Sequence, residues 1–341
     1  MGDIAIRIEG RAGRITLTRP KALNALSYAM ANGIAAALDA WADDPAVDLV
    51  LIDGEGPRGF CAGADIVETW HAGRGGDFAS GRRFWADEYR LNARIARYPK
   101  PYVALMHGFT MGGGVGVSAH GSHRIVGEST QVAMPECTIG LIPDVGGTHL
   151  LARAPGRLGE YLGLTSGRMS PGDAIYAGFA DSFVPEAAWP DLKADLARTA
   201  DTSVIPVHPA PKAPLAARQE AIDDAFEGAD LASIVARLEA SDWGHEVLKG
   251  LRRNSPLSMA ATLELVRAAR RCPGIEKALR REFRFSWRSA EMGDLLEGIR
   301  AQVIDKDRTP TWRDDLDRVR PEDVAAMLAP LGDDELTLPG L

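Results

Sequence analysis

The chain is poor in cysteine, with three in 341 residues. Cys61, Cys137 and Cys272 lie far apart, form no CxxC pair and leave an odd count. That pattern argues against a disulfide framework or a zinc knuckle and favours reduced, buried thiols. Positive charge is also short. The 39 Lys and Arg against 47 Asp and Glu give a formal net charge of −8, and no basic run exceeds a pair or two. Nucleic acid is therefore not expected as a partner, although a local basic site for a phosphorylated ligand fits the composition. No apolar run approaches the ~20 residues that cross a bilayer. The start, Met1-Gly-Asp-Ile-Ala-Ile-Arg7, has neither an apolar signal core nor an Arg/Ser-rich transit composition. The expectation is a cytoplasmic protein without a membrane partner. The seven histidines show no HExxH or paired ligand spacing, so no metal is expected.

What is present is an ordinary globular composition, 45% hydrophobic and 25% charged, on a chain long enough for a large α/β core. The first half alternates short β-like runs with helical periodicity. Residues 4–8 and 14–18 read as strands joined by a turn containing Gly10 and Gly13. Ser27 then caps a helix to residue 42, and residues 48–53 form a buried strand. A helix is expected over 81–98, and strands over 102–106, 123–126 and 131–133. This rhythm favours stacked βα units over a sandwich or a bundle. Six prolines crowd between Pro185 and Pro214, the mark of a connector. Helical patterns dominate beyond it, over 215–226, 231–240, 246–253, 258–271 and 275–292. The expected organisation is an α/β core over residues 1–190 and a helical C-terminal region over 191–341.

Two motifs are set aside. Gly54-Glu-Gly56-Pro-Arg-Gly59 matches GxGxxG after a strand, but the following Phe60-Cys-Ala-Gly63 opens a helix poorly. Gly116-Val-Ser118-Ala-His120 ends in His where a nucleophile elbow needs Gly, so Ser118 reads as a packing residue. The stretch His107-Gly-Phe-Thr-Met-Gly-Gly-Gly-Val-Gly116 is different. Its three consecutive glycines strip side chains from backbone about to enter a helix, where N–H groups can meet a ligand oxygen. Two carboxylates follow. Glu136 lies among Val132, Ala133, Met134 and Ile139, which predicts a buried side chain able to serve as base, acid or nucleophile; a structural salt bridge is the alternative. Asp144, in Pro143-Asp-Val-Gly-Gly147, has helix capping as its alternative. Glu88, beside Asp87, reads from composition alone as solvated.

These residues carry a resemblance. Arg19-Pro-Lys-Ala-Leu-Asn24, Gly59-Phe-Cys-Ala-Gly-Ala-Asp65, the triple glycine and Pro135-Glu136 occur in the order found in the crotonase (enoyl-CoA hydratase/isomerase) superfamily. The chain most resembles its 3-hydroxyisobutyryl-CoA hydrolase branch. That likeness extends through Gly140-Leu-Ile-Pro-Asp144 to the tail segment Glu297-Gly-Ile-Arg-Ala-Gln-Val-Ile-Asp-Lys-Asp307, whereas simple hydratases resemble only the first two-thirds.

The resemblance implies a crotonase-like spiral of ββα units, of the ClpP/crotonase kind, with a C-terminal helical extension. It implies an acyl-CoA substrate, no separate cofactor, and an oligomeric state left open, a homo-oligomer included. By motif position the oxyanion-hole amides are Ala64 and Gly113. The first of the two glutamate places used by hydratases is Gly116 here; only the second, Glu136, is filled. Asp144 matches an Asp of the hydrolases, and Glu88 a substrate-contacting Glu placed at the hydroxyl end. Arg19, Lys21 and Arg58 flank the loops expected near the coenzyme A phosphates. The implied reaction is hydrolysis of a 3-hydroxyacyl-CoA thioester, in valine breakdown. An enoyl-CoA isomerase or hydratase-type activity and a silent acyl-CoA-binding protein are the alternatives.

Overall fold

Residues 4–17 make the hairpin that starts the main sheet in the computed structural model, which describes residues 2–338. Met1 and residues 339–341, at the outer bounds of the expected domains, lie outside the described residues. The chain divides into two compact units, each assembled from separated segments.

The first unit takes in residues 2–65, 90–133 and 169–216. Strand β1 (Ile4–Glu9) pairs antiparallel with β2 (Ala12–Leu17). From β2 onward the pairing is parallel, through β3 (Leu49–Gly54), β4 (Tyr102–Met106), β6 (His123–Val126) and β8 (Ser182–Phe183). A separate parallel pair joins β5 (Phe109–Met111) to β7 (Gln131–Ala133). Strands β2 and β4 are buried along their whole length, as expected for parallel strands covered on both faces. Alternation sorts the side chains of β3 and β4: Leu49, Leu51, Val103 and Leu105 pack with Trp189, Leu192 and Leu196. Each such side chain removed from water contributes roughly 1.5–3 kcal/mol. The last three belong to helix Trp189–Thr199, so the expected boundary near residue 190 falls inside a helix that packs on the sheet.

The second unit takes in residues 66–89, 134–168 and 217–338. It is helical, as the periodicity of the C-terminal half leads one to expect. Helix Pro256–Arg271 starts two residues before its expected onset, because Ser255 accepts from Ser258 N–H and Pro256 occupies the first helical position. Helix Ile275–Met292 presents a buried stripe of Ile275, Ala278, Leu279, Glu282, Phe283, Ser286 and Ser289. Helix Ala79–Ala96 brings Glu88 and Tyr89 into this unit. Cys61 and Cys137 are buried free thiols as expected; Cys272 is only half-buried, because it caps an exposed helix end.

Candidate active site

Glu136 does not sit on a strand end. It opens the short 3-10 turn Glu136–Ile139, three residues after β7 stops. Its carbonyl accepts from Leu141 N–H at 3.1 Å, and Gly140 at φ 74 reverses the chain. The side chain is 5% exposed, and Oε2 has no hydrogen-bond partner among the described residues. The structural salt bridge is thus not formed.

Asp144 follows in the loop before helix Gly147–Arg153, whose N-cap is Gly146. Asp144 does not cap that helix; its Oδ2 instead accepts from Tyr89 OH at 2.7 Å. The free helical amides go elsewhere. Glu282 accepts from Gly146 N–H at 2.8 Å, from Thr148 N–H at 2.9 Å and from the Thr148 hydroxyl. Between Asp144 and Gly146, Val145 holds φ 52. A β-branched residue in the left-handed region is a strained outlier of about 1–3 kcal/mol, of the kind found at functional sites.

Glu88 is 1% exposed, and its Oε1 also has no partner among the described residues. Its polar neighbour Asp87 misleads the composition reading: Glu88 falls on the inward face of its helix with the buried Tyr89 and Leu91. Glu136, Asp144, Glu88 and Glu282 therefore gather in one unit, and each lies within electrostatic reach of another. Burial raises all four carboxyls. Asp144 is pushed up to about 7 against the pull of the Tyr89 hydroxyl. Glu282 is pushed up to about 8 against the pull of its donors. Glu88 and Glu136 are held well above the usual carboxylate range, by burial first and then by the neighbouring Asp144 charge. Such a cluster cannot ionise all at once, and any member that does lose its proton is a strong base.

The glycine-rich segment lies in the first unit. Cys61 N–H donates to Phe109 O at 3.0 Å and Met111 N–H to Cys61 O at 2.9 Å, so residues 61–64 run beside the entry to the glycines. A Cβ on Gly114 would stand 2.3 Å from Cys61 O, which explains a glycine there. Ala64 bridges Leu26, yet the two hydrogen bonds run from Leu26 N–H to Gly63 O and from Asp65 N–H to Leu26 O. The amide of Ala64 is left out of that pairing. Gly113 opens helix Gly113–Gly116, whose first backbone bond is Gly116 N–H to Gly112 O. Its amide belongs to the opening turn, which lacks helical acceptors. Ser118 is a buried packing residue as expected, donating to Gly114 O at 2.6 Å.

The three basic residues differ. Arg19 donates to Ala25 O at 2.8 Å and pairs with Asp65 at 3.0 Å. Arg58 donates to Pro20 O and Lys21 O at 2.8 and 3.0 Å, fastening one loop to another. Lys21 is exposed and forms no ion pair among the described residues.

Tyr89, Ser286 and Glu282 were not singled out by sequence reasoning. Glu282 left one signal, a charged residue on the apolar stripe of an amphipathic helix. Tyr89 left none beyond its place next to Glu88. Among the described residues no group of three or more His, Cys, Asp or Glu side chains is arranged to hold a metal ion.

Amides spared by a glycine-stripped backbone, on a parallel-sheet scaffold, and a buried set of basic carboxyls are the equipment of an enzyme that works on a carbonyl. The chain belongs to the enoyl-CoA hydratase/isomerase family, which it matches over residues 12–328. It is 37% identical to the mitochondrial 3-hydroxyisobutyryl-CoA hydrolase of Gallus gallus, with 98% of this chain and 91% of that protein covered. It is also similar to a crystal structure of an enoyl-CoA hydratase from Rhodobacter sphaeroides, 59% identical with a TM-score of 0.96, covering 98% of this chain and 100% of that one. A carnitinyl-CoA dehydratase from Mycobacterium thermoresistibile is 44% identical, TM-score 0.92, with both chains covered in full. The crotonase fold expected from the motifs is the one observed.

Proposed function

We propose that this protein hydrolyses a 3-hydroxyacyl-CoA thioester, with 3-hydroxyisobutyryl-CoA as the substrate, releasing 3-hydroxyisobutyrate and coenzyme A in valine breakdown. The observation that carries the reading is the buried, unpartnered Oε2 of Glu136 beside the carboxyl of Asp144. The full-length likeness to 3-hydroxyisobutyryl-CoA hydrolases, C-terminal region included, supports it.

Two routes use Glu136. As a nucleophile its carboxylate attacks the thioester carbon, coenzyme A leaves as thiolate, and water opens the resulting anhydride. As a base it takes a proton from the water that attacks the same carbon. Burial favours both, because a carboxylate whose pKa is raised holds a proton more strongly. Asp144, held by Tyr89, orients the attacking group or the substrate hydroxyl. Glu88, with Oε1 free to accept, takes the 3-hydroxyl. The amides of Ala64 and Gly113 are assigned to the developing oxyanion, a role commonly worth ~3 kcal/mol per donor in a barrier. Of the three basic residues proposed for the coenzyme A phosphates, Lys21 is favoured, since the guanidinium groups of Arg19 and Arg58 are already engaged. We keep the cytoplasm as the proposed location; "mitochondrial" belongs to the vertebrate relatives' own names.

A second reading, water addition to an enoyl-CoA, is favoured by the names of the two structural neighbours and by the extra carboxyls around Glu136. Against it stands Gly116, which has no side chain to move a proton in the place of the first hydratase glutamate. One experiment separates them. Thiol release is measured with 3-hydroxyisobutyryl-, 3-hydroxypropionyl- and crotonyl-CoA, alongside loss of the enoyl absorbance. Free thiol from the first two supports the hydrolase; enoyl loss without thiol from crotonyl-CoA establishes the hydratase.

A further inference from the structure

We infer that Tyr89, on helix Ala79–Ala96, and Ser286 and Glu282, on the C-terminal helix Ile275–Met292, are positioning residues that clamp Asp144 and its loop; this deepens the hydrolase reading and rests on it for its kinetic test. Tyr89 OH donates to Asp144 Oδ2 at 2.7 Å and lies 2.7 Å from Ser286 Oγ. A phenol has one proton. Since it goes to Asp144, the Ser286 hydroxyl is the donor of the 2.7 Å contact to the Tyr89 oxygen, a shorter contact than its 3.2 Å alternative to Glu282 O. Ser286 is one turn from Glu282 on the same buried stripe. Glu282 holds the other side of the loop, by Gly146 N–H at 2.8 Å and Thr148 N–H at 2.9 Å. Val145, at φ 52, is caught between the two grips. Every member is buried: Tyr89, Glu282 and Ser286 are 0% exposed and Asp144 4%.

A left-handed β-branched residue relaxes unless its surroundings hold it. The clamp does that: the direction of the Asp144 carboxylate is set by Tyr89, 55 residues away in sequence, and its loop is held by a helix more than a hundred residues away. Tyr89 donation also favours the ionised form of Asp144. The groups facing Asp144 are Glu88 and Tyr89 from helix Ala79–Ala96, Glu136 from its 3-10 turn, and Glu282 from helix Ile275–Met292. All but Tyr89 are carboxyls, and among the described residues it is the phenol that donates to this carboxylate.

The test uses the full-length protein and thiol release from 3-hydroxyisobutyryl-CoA. Tyr89→Phe should lower kcat by roughly ten- to a hundredfold, the kinetic equivalent of a lost hydrogen bond to a charged group, with KM nearly unchanged. In an Asp144→Asn background Tyr89→Phe should add little further loss, because Tyr89 acts through Asp144. Glu282→Gln, which turns one acceptor oxygen into a donor facing an N–H, should give the same split between kcat and KM. Wild-type kcat in Tyr89→Phe or in Glu282→Gln, or losses that multiply in the double variant, would overturn the clamp. Carboxyl 13C NMR provides a readout that needs no turnover: the Asp144 titration should move to higher pH in Tyr89→Phe, and an unmoved titration refutes the inference. A wild type that releases no thiol sinks the hydrolase reading alone, and the NMR arm still decides the clamp. If Tyr89→Phe fails to fold, Ser286→Ala keeps the ring, removes its second partner and is read by the same titration, with the same upward shift expected and an unmoved one refuting.

Discussion

Asp144→Asn should make the ligand-free protein less sensitive to alkaline destabilisation, and the size of the effect follows from burial. Asp144 is 4% exposed, and its pKa stands at about 7 against an ordinary 3.8. An unfolded chain releases this proton near the ordinary value, while the folded chain keeps it to near neutrality. Between those limits the folded state binds more protons, so stability falls as pH rises through the window and stays low above it. From pH 5 to the folded pKa is about two units, at ~1.4 kcal/mol each, so roughly 3 kcal/mol is lost by pH 8. Asparagine, neutral throughout, does not carry that loss. Urea unfolding of wild type and variant at pH 5 and pH 8 measures the difference directly. The variant should gain roughly 3 kcal/mol on wild type between the two conditions. If the two proteins lose stability in parallel, Asp144 is ionised in the folded state at pH 5, and the reasoning from burial is wrong.

Other outcomes follow from the same geometry. The kcat–pH profile should rise on an acid limb near neutrality, not near pH 4, because an ionised carboxylate must come from a cluster whose members are all raised; the limb reports the cluster, not one residue. Glu88→Gln should weaken discrimination between 3-hydroxyacyl- and unsubstituted acyl-CoA substrates, read as the ratio of their kcat/KM values, by about tenfold. Gly114→Ala should cost roughly 1–3 kcal/mol or prevent folding, since its Cβ meets the Cys61 carbonyl at 2.3 Å and backbone cannot step aside cheaply; a melting curve decides. Lys21→Ala should raise KM for acyl-CoA at low salt, with the difference shrinking as salt is added.

Where periodicity and burial agreed, the sequence was readable. The runs at 49–52 and 102–106 are apolar throughout because both faces are covered, and they lie in the two strands at the centre of the sheet. The stripe of helix Ile275–Met292 was visible for the same reason. Short helices such as Val67–Arg74 and Pro171–Tyr176 were not, since too few turns repeat the period. The acid at Glu136 was legible from its apolar neighbours. Glu88 was not, because helix phase decides which of two adjacent acids turns inward, and Asp87 masked it. Tyr89, Ser286 and Glu282 were hidden because their roles depend on partners as far as 197 residues away in sequence.

The most direct test of the central claim is thiol release from 3-hydroxyisobutyryl-CoA by wild type and Glu136→Gln. Wild type should turn over, and the variant should lose several orders of magnitude in kcat while still binding acyl-CoA within a small factor. Turnover in the variant at the wild-type rate would take Glu136 out of the chemistry and contradict the account.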